Sequence, residues 1–143
     1  MQVKEVMSGR PVTVSPEETV SVAARTLSRT NVGCLPVCTP DGKLRGMLTD
    51  RDIVLRSVAS DEDAGQQLVR EIMTRRLVTV SPEEPLSVAA GLMSREQIRR
   101  LPVVQEGKLV GMLALKDLAE APGQAMEAAR ALENISAGVR RTM

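Results

Sequence analysis

Val12-Thr13-Val14-Ser15-Pro16-Glu17-Glu18 returns, residue for residue, as Val78-Thr79-Val80-Ser81-Pro82-Glu83-Glu84. Seven consecutive identities do not recur by chance, so the fold is one supersecondary unit made twice. The match extends outward: Ser21-Val22-Ala23-Ala24 answers to Ser87-Val88-Ala89-Ala90, and Leu35-Pro36-Val37 to Leu101-Pro102-Val103, all at a shift of 66 positions (12 to 78). Further on, Gly42-Lys43-Leu44 and Gly46-Met47-Leu48 come back as Gly107-Lys108-Leu109 and Gly111-Met112-Leu113, at a shift of 65 (42 to 107). The missing residue falls in a turn, where length changes are best tolerated.

Each copy spells the same order of elements. Val12 to Val14 is a β-branched run predicted as a short strand, stopped at Ser15-Pro16 because proline has no N–H for a ladder. Val20, Ala23, Ala24 and Leu27 recur at the spacing of one helix face, as do Leu86, Ala89, Ala90 and Met93. Two apolar runs around a turn then predict a hairpin in each copy: Cys34 to Cys38 and Leu44 to Leu48 about Pro40-Asp41-Gly42, then Leu101 to Val104 and Leu109 to Leu113 about Glu106-Gly107. A last helix starts at Asp50 and again at Leu115.

The fold class is α+β, a β-α-β-β-α unit in tandem. A copy of about 50 residues has too little core alone, so a pseudo-twofold pair is expected, sheets packed together and helices outside. The expected division is repeat 1 over 1–60 and repeat 2 over 61–121, forming one intertwined module. Ala59 to Gln67 reads as a polar link, and Leu68 to Met73 as a helical lead-in resembling Val3 to Met7. A helical tail occupies 122–143; Ala125, Met126, Ala129 and Leu132 form a stripe expected to bury against a second chain.

Composition narrows the chemistry. The 143 residues are 43% hydrophobic and 26% charged, ordinary for a globular chain able to bury about two-thirds of its surface. There is no Phe, Trp, Tyr or His. Without His there is no imidazole base and no Ser/His/Asp or Cys/His nucleophile arrangement, and two cysteines are too few for a four-thiolate zinc site. A catalytic role is therefore disfavoured. A net charge of +1 and the lack of stacking platforms argue against nucleic acid. No run reaches the 18 or so apolar residues of a membrane span, and no apolar signal region opens the chain, so a cytoplasmic protein is expected. Cys34 and Cys38 lie roughly 13 Å apart along a strand, too far for a disulfide, and read as reduced and partly buried.

The lead-ins Glu5-Val6-Met7-Ser8 and Glu71-Ile72-Met73-Thr74, the Leu-Pro-Val strands and Gly46-Met47-Leu48-Thr49-Asp50-Arg51-Asp52-Ile53 together resemble the CBS domain, whose tandem pairs form Bateman modules. The resemblance covers about residues 1 to 120 and leaves out the tail. It implies a regulatory module that binds an adenosine-containing ligand (AMP, ADP, ATP, S-adenosylmethionine or NAD), commonly as a homodimer that acts on an effector protein. Since the resemblance spans nearly all of the 143 residues, the stand-alone bacterial form is expected.

Thr49-Asp50-Arg51-Asp52 sits between a strand and a helix, where unpaired N–H groups favour an anion. Thr-x-x-Asp before an apolar run is equally a helix capping box. The resemblance gives Asp52 the further role of accepting hydrogen bonds from a ribose. The second copy has Ala114 where Thr49 would be, so the two sites should be unequal. Carried over by position, the resemblance implies a first cleft built from Met47, Thr49, Arg51 and Asp52 with Leu77, Val78, Arg99, Arg100, Pro102 and Lys116. A second and weaker cleft would take Met112 and Asp117 with Pro11, Val12 and Pro36. Arg99 and Arg100 can meet phosphate oxygens with planar guanidinium groups, whereas their counterparts Gly33 and Cys34 cannot. The alternative is a ligand-independent dimerisation or scaffold protein.

Overall fold

The computed structural model describes Met1–Thr142, with side chains through Gly138. A 3-10 turn at Val3–Glu5 leads into β1 (Ser8–Gly9), α1 (Val20–Thr30), β2 (Cys34–Cys38), β3 (Leu44–Thr49) and α2 (Asp50–Ile53), which runs on as a π-helical turn, Val54–Val58. Then come α3 (Val69–Ile72), α4 (Leu86–Glu96), β4 (Arg100–Gln105), β5 (Lys108–Ala114), α5 (Leu115–Glu120) and α6 (Ala125–Thr142). Two compact units result: a central one, Val12–Leu77, and a split one joining Met1–Pro11 to the residues from Val78 onward. Sequence repeats and compact units are thus cut at different places, because each lead-in packs with the other copy's core.

In the central unit Thr19 caps α1, its Oγ1 accepting from the Val22 N–H at 3.3 Å, and Asn31 ends the helix at φ 54°. β2 and β3 form an antiparallel pair. The expected Val12–Val14 strand shrinks to one parallel bridge, Val14 to Val37. The Val14 N–H donates to the Pro36 carbonyl at 3.1 Å and the Cys38 N–H to the Val14 carbonyl at 2.9 Å. The next rung toward Val12 would need an N–H on Pro36, which proline lacks. The same limit holds in the split unit, where Val80 bridges Val103 beside Pro102.

The central core gathers Val14, Val20, Ala23, Leu27, Leu35, Val37 and Leu48 with Val69, Ile72 and Met73 of the lead-in. Of the expected α1 face, Ala24 is only half-buried. Thr26 takes the inward place, its hydroxyl satisfied by the Val22 carbonyl at 3.0 Å. The lead-in crosses β3 at Gly46. A Cβ there would stand 2.8 Å from the Thr74 carbonyl oxygen and 2.9 Å from Met73 Sδ, so only glycine permits the approach. Neither cysteine is in a disulfide, and burial pushes the Cys38 thiol above its ordinary value, keeping it protonated and unreactive.

The split unit repeats the plan with a third strand, in the order β1-β5-β4. Glu106 and Gly107, at φ 54° and 80°, make the two-residue hairpin turn whose twist suits the flanking strands. All four predicted α4 residues, Leu86, Ala89, Ala90 and Met93, are buried, together with Val3, Leu101, Val103, Leu113 and Leu118. The tail is helical, and the stripe expected to meet a second chain is left facing outward. Met126 and Leu132 are exposed, as are Ala125 and Ala129, while Ala128, Ala131 and Ile135 are buried against the chain's own α4 and α5. Alanines let the helices approach closely where Met and Leu would hold them apart. The Gln97 amide, donating to the Asn134 carbonyl at 3.2 Å, ties the end of α4 to α6. No helix among the described residues is long and apolar enough to cross a membrane.

Candidate functional site

In the central unit the junction of β3 and α2 collects the chemistry. The Asp52 N–H donates to Thr49 Oγ1 at 3.0 Å, and the Thr49 N–H donates to Asp52 Oδ2 at 3.0 Å. The capping alternative is therefore real: this is a complete reciprocal box. It does not exhaust the carboxylate. Asp52 is only 8% exposed, and among the described residues the polar partners of its Oδ1 are the Thr74 hydroxyl at 3.4 Å and an Arg56 guanidinium nitrogen at 4.0 Å. A carboxylate offers about four lone-pair sites, so Oδ1 keeps acceptor capacity in a largely water-excluded position.

Thr74 was not among the residues expected from the sequence. Its hydroxyl lies 3.4 Å from both Asp52 oxygens, and its backbone pairs with Met47 in both directions, at 2.8 and 3.0 Å. The available signal was its place in the lead-in, matching Ser8, which pairs with Met112 in the split unit. Across the hairpin Pro36 faces Met47 and Cys34 faces Thr49. Arg51 is exposed on the first turn of α2, Leu77 is half-buried and Val12 exposed.

The split unit holds the remaining candidates. The Ala114 N–H donates to Asp117 Oδ2 at 2.8 Å, but alanine cannot return the bond, so only half of the box survives. Pro102 is buried and faces Met112; Val78 and Pro11 are half-buried. The Leu115 N–H donates to the Arg99 carbonyl at 2.8 Å, which holds the start of β4 against the start of α5. Arg99, Arg100 and Lys116 converge there on a cavity of about 510 Å³. The structure thus gathers the acid, its cap and Met47 in one unit, and the three cations in the other. Among the described residues no group of three Cys, Asp or Glu side chains is placed to hold a metal ion.

Compared with known families, residues 3–59 and 69–123 match the CBS domain. The chain belongs to the CBS domain family. This CBS pair is 46% identical over 134 residues to the CBS domain-containing protein YhcV of Bacillus subtilis, covering 94% of each chain. It is 32% identical to Hypoxic response protein 1 of Mycobacterium tuberculosis, over 81% of each. Among solved structures, Hypoxic Response Protein I with two coordinated zinc ions superposes with a TM-score of 0.79 at 31% identity, covering 85% of this chain and 100% of that one. The CBS domain pair of protein MJ0100, in complex with 5-methylthioadenosine and S-adenosyl-L-methionine, superposes at 0.72 with 31% identity, covering 83% and 93%.

Proposed function

We propose that the chain is a non-catalytic regulatory CBS pair that binds an adenosine-containing ligand: AMP, ADP, ATP, S-adenosylmethionine or NAD. The observation that carries this reading is the buried Asp52 carboxylate, whose Oδ1 is left with acceptor capacity beside a helix start. A ribose diol is a donor pair suited to it. The adenosyl compounds held by the MJ0100 pair support the ligand class. Phosphate, where present, is assigned to Arg99, Arg100 and Lys116, and the adenine to aliphatic surface from Met47, Leu77, Val78 and Pro102, since the chain has no aromatic side chain. Asp117, with Met112, Pro11, Val12 and Pro36, is assigned a weaker site. Regulation requires that the ligand bind one arrangement of the repeats, or of two chains in a homodimer, more tightly than another. An effector protein reads the difference.

The test is thermal unfolding with millimolar AMP, ATP, NAD or S-adenosylmethionine. A ligand at ten times its Kd adds about 1.4 kcal/mol, a measurable rise in Tm. Asp52→Asn keeps an oxygen for the Thr49 N–H and should lose the ligand response while retaining the fold. If the wild-type chain responds to none of the four, the proposal falls.

A second reading, a ligand-independent dimer or scaffold, is favoured by the π-helical turn, where Val54, Leu55 and Val58 all stand exposed. It expects a dimer mass indifferent to nucleotides and to changes at Thr49 and Asp52.

A further inference from the structure

The cavity on the split unit has a lining unlike that of a simple phosphate site. Arg99, Arg100 and Lys116 supply three positive charges and no Asp or Glu lines it. Among the described residues none of the three side chains has a hydrogen bond or ion pair to a protein acceptor. Like charges gathered without a counter-charge repel one another, and an anion relieves that repulsion. The rest of the lining is apolar, from Leu115 and Leu132 with alanines of α5 and α6. Its far wall is α6, which starts beyond residue 123, where the CBS match ends. The volume of about 510 Å³ is that of a small-molecule site.

We infer that this cavity is a binding site for an organic anion, its apolar body lying against Leu115, Leu132 and the alanine wall, its carboxylate or phosphate meeting Arg99, Arg100 and Lys116. Inorganic phosphate would leave the apolar wall wet, and a neutral apolar molecule would leave three cations unpaired. Planar guanidinium groups grip either acid group in two-pronged fashion. The site uses residues of one unit only and so goes beyond the nucleotide reading, with which it shares the three cations.

The probe is anilinonaphthalene sulfonate, an apolar body with one acid group. Its fluorescence should saturate at one probe per chain and be displaced by decanoate, decyl phosphate or both, the stronger competitor naming the acid group. Inorganic phosphate should compete far more weakly. Affinity should fall about tenfold or more in the double variant Arg100→Gln with Lys116→Gln, and again in Leu132→Glu, all at exposed positions whose replacement leaves Tm unchanged. Unsaturable binding, or equal affinity in wild type and both variants, overturns the inference. Asp52→Asn separates the two proposals: it should abolish the nucleotide response and leave the probe titration unmoved. A chain that binds the probe at this site but no nucleotide sinks the nucleotide reading alone. Nucleotide binding with a probe titration indifferent to Leu132→Glu sinks this one alone.

Discussion

Asp52 and Asp117 occupy matching positions, yet the residue three before each decides how much work the carboxylate does. Thr49 Oγ1 accepts a hydrogen bond from the Asp52 N–H, whereas the Ala114 side chain has no acceptor for the Asp117 N–H. Thr49→Ala should therefore cost about 0.5–2 kcal/mol, and Ala114→Thr should recover stability of similar size, read as opposite shifts of the urea midpoint. Destabilisation by both would mean that the half-box at Asp117 is already complete by other means. At this scale the sequence was informative about Asp52, because Thr-x-x-Asp before an apolar run has only a few physical uses. It was silent on Thr74, whose contact with Asp52 joins residues 22 positions apart and leaves no local pattern.

The repeated Gly-Met-Leu is explained by what crosses it. A Cβ at Gly111 would meet Met7 Sδ at 2.6 Å and the Ser8 carbonyl oxygen at 2.9 Å, just as one at Gly46 would meet the Met73-Thr74 lead-in. The backbone oxygens cannot swing aside, so Gly46→Ala and Gly111→Ala should each destabilise by about 1–3 kcal/mol. Gly91, inside α4 with nothing within 4 Å of its missing Cβ, is the control. Gly91→Ala should gain about 0.5–1 kcal/mol from helix propensity. Urea titration of the three variants gives the comparison, and a neutral Gly46→Ala would remove the close-approach argument. The prolines of the two Leu-Pro-Val strands act at the same scale: Pro36 and Pro102 end the parallel pairing that Val12-Thr13-Val14 and its copy would otherwise extend.

For the whole molecule, the consequence of exchanged lead-ins is that damage near the N-terminus should appear far along the chain. Val3 is fully buried in the core that contains Val80, Leu86 and Leu113, and its N–H donates to the Glu84 carbonyl at 2.9 Å. Val3→Ala should cost of order 1–3 kcal/mol. Hydrogen exchange should then quicken first in α4, β4 and β5, with β2 and β3 less affected. Faster exchange in β2 and β3 instead would contradict the division into a central and a split unit. The same scale accounts for α6. One stripe, Ala125, Met126, Ala129 and Leu132, was visible in the sequence; the opposite side packs inward because Ala128 and Ala131 share a core with Ala89 and Ala90 of α4, small residues that allow close approach.

What the sequence determined alone was the repeat, the hairpins, the faces of α4 and most of α1, and the Thr49/Asp52 pair, since all of these follow from periodicity or from residues within four positions of one another. Only the tertiary structure decided that each lead-in joins the other copy's core, that Thr74 leans on Asp52, which side of α6 turns inward, and that three cations and an alanine wall line one open pocket. Those features rest on contacts between distant segments, chosen by how closely two backbones can approach, and such closeness is a property of the packed chain that no local run of residues encodes.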